Sequence, residues 1–355
     1  MPMPMPEHDE DHDAFIERCM GDENMQEFED EGQRQAVCEA QWNKEEESKA
    51  MKYPHIASAV FNHPWAILPE TLQTITSILR FRMEGGTLTK EEIQARLGAA
   101  QDRPATVRGG SIAVLPLIGV LAQRMNMMIQ VSGGTSTEIF GRAFRQMVAD
   151  PTVKAVVLDI HSPGGETFGI DELTTEIFQA RKAKPIIAVA NSLAASGAYW
   201  IGTAASELWA APGALVGSVG VYAEHMDLSK AAEMAGMKMT FISAGEFKVE
   251  GNEFEPLSDA GRAHIQGIVD DIYGQFVKAV ARNRSMTERA VRQDFGQGRM
   301  VTARQAMAMG MIDGIGTLDQ VLRRLGGSHM AEAATMAADG RERHRLRMAM
   351  IGKKG

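Results

Sequence analysis

Residues 155–165 read AVVLDIHSPGG. A short, β-branched apolar run carries one charge, Asp159, and then breaks at a His-Ser-Pro turn followed by two glycines. Such a run is a strand covered on both faces. Pro163 fixes φ, and Gly164 with Gly165 lets the backbone turn its N–H groups outward. Upstream, Ile112–Ile118 is a second apolar run, and downstream IIAVA at 186–190 is a third. Between them lie two amphipathic stretches. In Thr135–Ala149, Ile139, Phe140, Phe144, Met147 and Val148 share one side; Ile170–Ala183 is the other. Ser196–Ala205 reads as a small-residue helix, and KMTFI at 238–242 as a strand following another helix. Apolar strands alternating with helices give an α/β fold with a parallel sheet and crossover connections. From Ser258 onward the chain reads as nearly all helix. Turns fall at Gly310, Gly314 and Gly316, and Leu318–Leu325 is the last helix.

Outside this core the composition changes. With 355 residues the chain suits one large domain or two modest ones. Its 44% hydrophobic and 23% charged content excludes a disordered chain, a collagen and a disulfide scaffold. Residues 1–50 hold 16 Asp+Glu against 4 Lys+Arg, a net of −12. The rest holds 30 acidic and 33 basic residues, a net of +3, so a near-neutral body carries an acidic leader. No basic stripe points to nucleic acid. Within the leader a mobile segment or a small helical pair is expected, and His8 with His12 reads as a charged tail rather than a metal site. No cofactor or metal is expected. Cys19 and Cys38 form no CxxC, which argues against a zinc ribbon and fits a reducing compartment.

The longest apolar run, Ile112–Ala122, is broken by Pro116 and Gly119 and is shorter than the roughly 20 residues a membrane span needs. The opening MPMPMPEHDEDHD is unlike a secretory signal. A soluble, non-secreted protein without a membrane partner is expected. Residues 51–100 read as helical, with Pro69-Glu70 opening the run Thr71–Met83, Gly85-Gly86 ending it and Thr89 starting a second helix. QDRPATVRGG at 101–110 is a linker. The expected segments are an acidic leader at 1–50, a helical N-terminal extension and linker at 51–110, an α/β domain at 111–326 and a basic flexible tail at 327–355. That tail contains GSHM at 327–330, which looks like a vector scar.

Chemistry gathers in three loops that follow strands, where open parallel sheets bind ligands. The first ends in Gly164-Gly165, whose N–H groups suit a developing oxyanion; the bland alternative is an ordinary turn. The second is NSLAASGAY at 191–199. Ser196 falls at the strand-to-helix junction between small neighbours, with the positive end of a helix beyond it. The bland alternative is a helix N-cap. The third, GEFK at 245–248, places Lys248 among Phe247, Val249 and Phe254, where partial burial is expected. A serine nucleophile needs a base, and lysine serves once burial disfavours its charged form. His225 is a rival base, with Asp227, Asp159 or Asp171 to complete a triad. The residues alone leave that choice open.

These loops, in this order, resemble the serine–lysine proteases of the signal-peptide-peptidase-A type. The likeness covers about residues 111–326. It rests on DIHSPGG at 159–165, NSLAASGAYWIG at 191–202, GALVGSVGVY at 213–222, AGEFKVEGNEFEPLS at 244–258 and TARQAMAMGMIDGIG at 302–316. The resemblance implies a Clp-protease/crotonase-like fold of stacked ββα units with a parallel sheet, plus helical N- and C-terminal elements. It makes Ser196 the nucleophile and Lys248 the general base. It gives Ser218 the role of holding the lysine amine, and Gly164, Gly165 and Gly197 the oxyanion hole. The base it favours is thus Lys248, not His225.

Within that family the chain is most similar to the capsid (prohead) maturation proteases of tailed phages. YPHIASAVFNHPWAI at 53–67 resembles their opening, and the segments around Phe15–Cys19 and Gln33–Trp42 resemble a leader of phage head proteins. The resemblance implies cleavage of scaffold and capsid or portal proteins inside a procapsid assembling in the host cytoplasm. It also implies a homo-oligomer built through the helices after Ser258. The small residues around Ser196 suggest a tight pocket taking Ala or Gly before the scissile bond. The membrane anchor of bacterial members is expected to be absent. Only about 30 residues follow the last helix, so a fused scaffold is expected to be missing or cut short. The alternatives are a non-proteolytic head-assembly protein and an acyl-thioester enzyme on the same fold.

Overall fold

The computed structural model describes residues 4–6, 11–28, 30–49, 63–83, 86, 88–89, 92–93, 106–108, 111–124, 134–234 and 236–326. The chain divides into two units, Met1–Val60 with Gln73–Thr89 and Phe61–Leu72 with Lys90–Gly355. Residues 53–62, most of the second helix expected from Thr89 and the tail at 327–355 lie outside the described residues.

In the first unit the acidic leader is helical. Helices His12–Met20 and Glu31–Lys49 are joined through a 3-10 turn at Glu23–Glu27. Asp11 starts the first helix by accepting from the Ala14 N–H at 2.9 Å. Phe15, Cys19, Met25 and Cys38 form a small core against Ile16, Val37 and Trp42. Cys19 and Cys38 are joined as a disulfide. That bond runs against the reducing compartment read from the cysteine count, because the helices bring two residues far apart in sequence to a Cα–Cα distance of 5.9 Å. His12 is not a tail residue: its Nε2 meets Glu39 Oε2 at 3.0 Å across the pair.

Among the described residues the second unit holds twelve strands: β1 Trp65–Ile67, β2 Thr106–Arg108, β3 Ile112–Ile118, β4 Leu121–Ala122, β5 Thr135–Ser136, β6 Ala155–Ser162, β7 Gly164–Glu166, β8 Ile186–Ala195, β9 Glu207–Ala210, β10 Leu215–Gly217, β11 Met300–Thr302 and β12 Gly314–Ile315. The larger sheet runs β11-β10-β8-β6-β3-β2. Its inner strands β10, β8, β6 and β3 are parallel, and antiparallel β11 and β2 close its ends. The α/β class with a parallel sheet is thereby found as expected.

Residue alternation explains why the strands are apolar throughout. Leu115, Leu117, Val156, Leu158 and Ile160 face one core cluster. Ile112, Val114, Ala155 and Val157 face another, closed by Val321 and Leu325. Each such side chain contributes about 1.5–3 kcal/mol when fully buried, so polar substitutions on either face are excluded.

Helices Thr137–Ala149 and Ile170–Ala180 cover the first face through Phe140, Phe144, Leu173 and Ile177. Ile139 was expected on that inner side but is exposed. The long helix Asp259–Arg284 packs on the short helix Gly197–Thr203. Phe276 stacks on Trp200 with ring centroids 4.5 Å apart, and Asn283 Nδ2 donates to Thr203 Oγ1 at 3.0 Å.

A smaller sheet, β1-β7-β4-β5, lies at the carboxyl end of β6. Its strand β1 falls within a region that reads as helical from sequence. Three residues carry no period of their own, and here the partners decide. KMTFI at 238–242 also departs from expectation: it joins no strand, and Met239, Phe241 and Ile242 are exposed.

Candidate active site

Ser196 follows directly on the last residue of β8 and precedes helix Gly197–Thr203. Its φ is 52° and ψ −117°, a left-handed turn that an L-residue adopts under strain. Two bonds hold it there: Ser196 N–H donates to Gly217 O at 2.8 Å, and Trp200 N–H donates to Ser196 O at 2.9 Å. Such a sharp strand-to-helix turn lifts a hydroxyl clear of the sheet. The side chain does not cap the helix. It donates instead to Gly220 O at 3.3 Å, which answers the N-cap alternative.

Ser218 stands next to it. Strands β8 and β10 are parallel, with Ala195 paired to Gly217, so each serine is the next residue beyond that pair. Ser218 also has positive φ, 53°, and its N–H donates to Arg299 O at 2.9 Å. Both serines are buried. Ser218 lines a cleft with Ile67, Gly220, Tyr222 and Gln297.

The glycines come from β7 and from the turn itself. Gly164 has φ 94°, and a methyl group built on it would lie 2.1 Å from Ala66 O and 3.1 Å from Ala195 O. One built on Gly165 would lie 1.9 Å from Leu121 O. One on Gly197 would lie 2.5 Å from the Ile170 side chain and 3.2 Å from Ala66 O. Close backbone approach explains all three glycines. Gly164 N–H donates to Ser162 Oγ at 3.2 Å, and Ser162 Oγ donates to Gly119 O at 2.6 Å, fixing the turn from β6.

Lys248 is elsewhere. It sits in the turn after Gly245, exposed, where partial burial was expected. It lines a second cleft with Pro64, Glu224, Phe241, Glu250 and His264. Among the described residues its ammonium has no recorded side-chain partner. The structure therefore brings Ser196, Ser218, Gly164, Gly165 and Gly197 together and leaves Lys248 on a neighbouring surface.

The rival base is not brought to Ser196 either. His225 Nε2 lies 3.2 Å from Asn252 O, and Asp227 accepts from Ser229 N–H and Oγ. Asp159 accepts from Asn191 Nδ2 at 3.2 Å. Burial raises the carboxyls of Glu224 and Glu166 above their usual range, the latter against the Gln123 N–H and His63.

Sequence reasoning names Trp65–Ile67 and Tyr222 only within stretches of family resemblance and gives them no place at the site. Trp65 N–H donates to Tyr222 O at 2.8 Å, and Tyr222 N–H donates to Trp65 O at 3.1 Å. The available signal was an apolar run, WAIL, bracketed by Pro64 and Pro69.

Residues 179–331 match peptidase family S49. The head-tail preconnector protein GP5 of Enterobacteria phage P21 is 31% identical over 251 residues, covering 67% of this chain and 50% of the relative. The capsid assembly protease C of Escherichia phage lambda is 29% identical over 276 residues, 73% of this chain and 62% of the relative. Protease 4 of Salmonella typhi is 29% identical over 217 residues, 61% of this chain and 34% of the relative. The chain spans less than two thirds of the length of each of these relatives.

Proposed function

We propose that this chain, whose residues 179–331 match peptidase family S49, is a serine endopeptidase cutting scaffold and capsid or portal proteins in an assembling phage head. The observation that carries the reading is Ser196 itself. A buried hydroxyl is held at positive φ by backbone bonds, beside Ser218 and against three glycines that admit no side chain. Likeness to a capsid assembly protease and a preconnector protein supports the head-protein substrates. No helix among the described residues is long and apolar enough to cross a membrane. The place of action is the procapsid in the host cytoplasm.

Ser196 Oγ attacks a peptide carbonyl, and glycine N–H groups of the 164–165 and 197 backbone receive the oxyanion. Lys248 takes the serine proton, passes it to the leaving amine, and then activates the water that hydrolyses the acyl-enzyme. Ser218 holds the lysine amine.

In a single chain Lys248 is exposed, and a base needs a drier setting. In the segment leading to it, Met234, Met237, Met239, Ile242 and Phe247 are also exposed. An exposed apolar surface of this kind is what association covers. A homo-oligomer that buries this loop dries Lys248 and delivers it to a serine.

The test is processing of head proteins co-produced with the full chain. Ser196→Ala and Lys248→Ala each leave scaffold uncut while keeping the wild-type melting temperature. Complete processing by either variant overturns the reading.

A further inference from the structure

Strand β1 occupies the ground in front of Ser196. It pairs antiparallel with β7, Ala66 opposite Gly165 and Ile67 opposite Gly164. Leu68 N–H donates to Pro163 O at 2.9 Å. Hydrogen-bonded pairs alternate along an antiparallel ladder, so two residues back Ala66 and Gly165 exchange bonds, and Gly165 N–H turns to Ala66 O. The residue between faces the other way: Trp65 exchanges both of its backbone bonds with Tyr222, as described above. The strand is thus clamped along both edges. Thr167 Oγ1 adds a bond to Pro64 O at 3.3 Å.

The clamp centres on Ala66. Its carbonyl oxygen would lie 2.1 Å from a methyl on Gly164 and 3.2 Å from one on Gly197, the residue after Ser196. The Ala66 side chain is fully buried, 3.7 Å from that same Gly197 methyl position. A carbonyl between these glycines, beside a strained serine, is where an attacked carbonyl belongs. The clefts flank the strand: Pro64 lines the one bearing Lys248, while Ile67 and Pro69 line the one bearing Ser218.

We propose that Trp65–Ala66–Ile67 is a built-in occupant of the peptide groove of Ser196, with Ala66 at the position of the residue whose carbonyl is attacked. The inference rests on the protease reading above and adds the groove, the direction of the peptide in it and its contents. The ligand is an extended peptide, antiparallel to Gly164–Glu166 and bridged by Tyr222, with a small residue where Ala66 lies. Foreign peptide enters as this strand leaves.

The arrangement also protects the strand. Ile67 is buried, Leu68 is bonded to Pro163 O, and Leu72 is fully buried beyond. An amine released from the Ala66–Ile67 bond stays in place and re-forms it, so the segment occupies the groove without being consumed.

The test reads binding, not chemistry, so it stands whether or not the chain cuts head proteins. Full-length Ser196→Ala protein and the same protein with Ala66→Arg are titrated with fluorescein-labelled HPWAILP, which copies residues 63–69. Loss of the occupant frees the groove, and the apparent affinity for the peptide rises by about tenfold or more. A peptide with Arg in place of the alanine binds neither protein. Equal affinity of both proteins for HPWAILP overturns the proposal. If Ala66→Arg fails to fold, hydrogen exchange on the Ser196→Ala chain carries the test. Excess HPWAILP then speeds exchange of the Trp65 and Leu68 amides while Tyr222 stays protected. Unchanged exchange at Trp65 overturns it.

Discussion

Ser218 is the neighbour of Ser196 across two parallel strands: each follows the Ala195–Gly217 pair, and each turns its backbone to positive φ, 52° and 53°. Two non-glycine residues in this region, side by side, mark stored strain of about 1–3 kcal/mol each. Glycine removes that strain along with the hydroxyl. Ser196→Gly is therefore expected to abolish cleavage and raise stability by about 1 kcal/mol, or about 2–4 °C in Tm for a body of this size. Calorimetry beside a cleavage assay checks it; a lower Tm for Ser196→Gly counts against the strain.

A side chain at Gly164 has nowhere to go. Gly164→Ala sets a methyl against the Ala66 carbonyl at a φ that L-residues avoid. The expected loss is about 1–3 kcal/mol, with cleavage falling too. Denaturant midpoints measure the first. Wild-type stability in Gly164→Ala would mean that β1 yields easily.

The support beneath the Ser196 turn is the stack of Trp200 on Phe276. Phe276→Ala empties a fully buried site and should cost about 3–5 kcal/mol. The loss should be read as a lower Tm and weaker amide protection over Gly197–Thr203. Unaltered protection there would separate the long helix from the Ser196 turn.

Acid should act through Asp313. Burial opposes its ionisation, but hydrogen bonds from the Arg284 guanidinium and the Leu208 N–H outweigh that and hold the carboxyl below its usual range. A depressed folded pKa stabilises above the unfolded value, and the contribution is lost as pH falls through the folded one. Asp313→Asn should flatten this part of the acid limb in a plot of stability against pH. A limb of unchanged slope contradicts the assignment.

In the leader, Cys19 and Cys38 should resist alkylation until a reductant is added, then take two labels by mass. Cys38→Ser should make Glu31–Lys49 easier to cut in limited proteolysis. Labelling without reductant would show two thiols instead.

The sheet was readable because strands covered on both faces must be apolar along their whole length. Ile112–Ile118 was bounded correctly on that ground, and AVVLDI and IIAVA each extend further at their carboxyl ends, into β6 and β8. Ser196 was readable because only small residues fit around a turn so close to two backbones. Other features depend on what lies opposite. Trp65–Ile67 is a strand because β7 and Tyr222 offer it edges, and no periodicity in three residues announces that. KMTFI has the composition of a strand but pairs with no strand among the described residues. The Cys19–Cys38 bond depends on how two helices pack, which spacing does not encode.

The most direct measurement of the central claim is peptide mapping of the full chain after prolonged exposure to a fluorophosphonate. A covalent adduct accumulates however briefly the groove opens. The account predicts modification at Ser196, lost in Lys248→Ala. An unmodified Ser196, or equal labelling of Ser196 with and without Lys248, would contradict it.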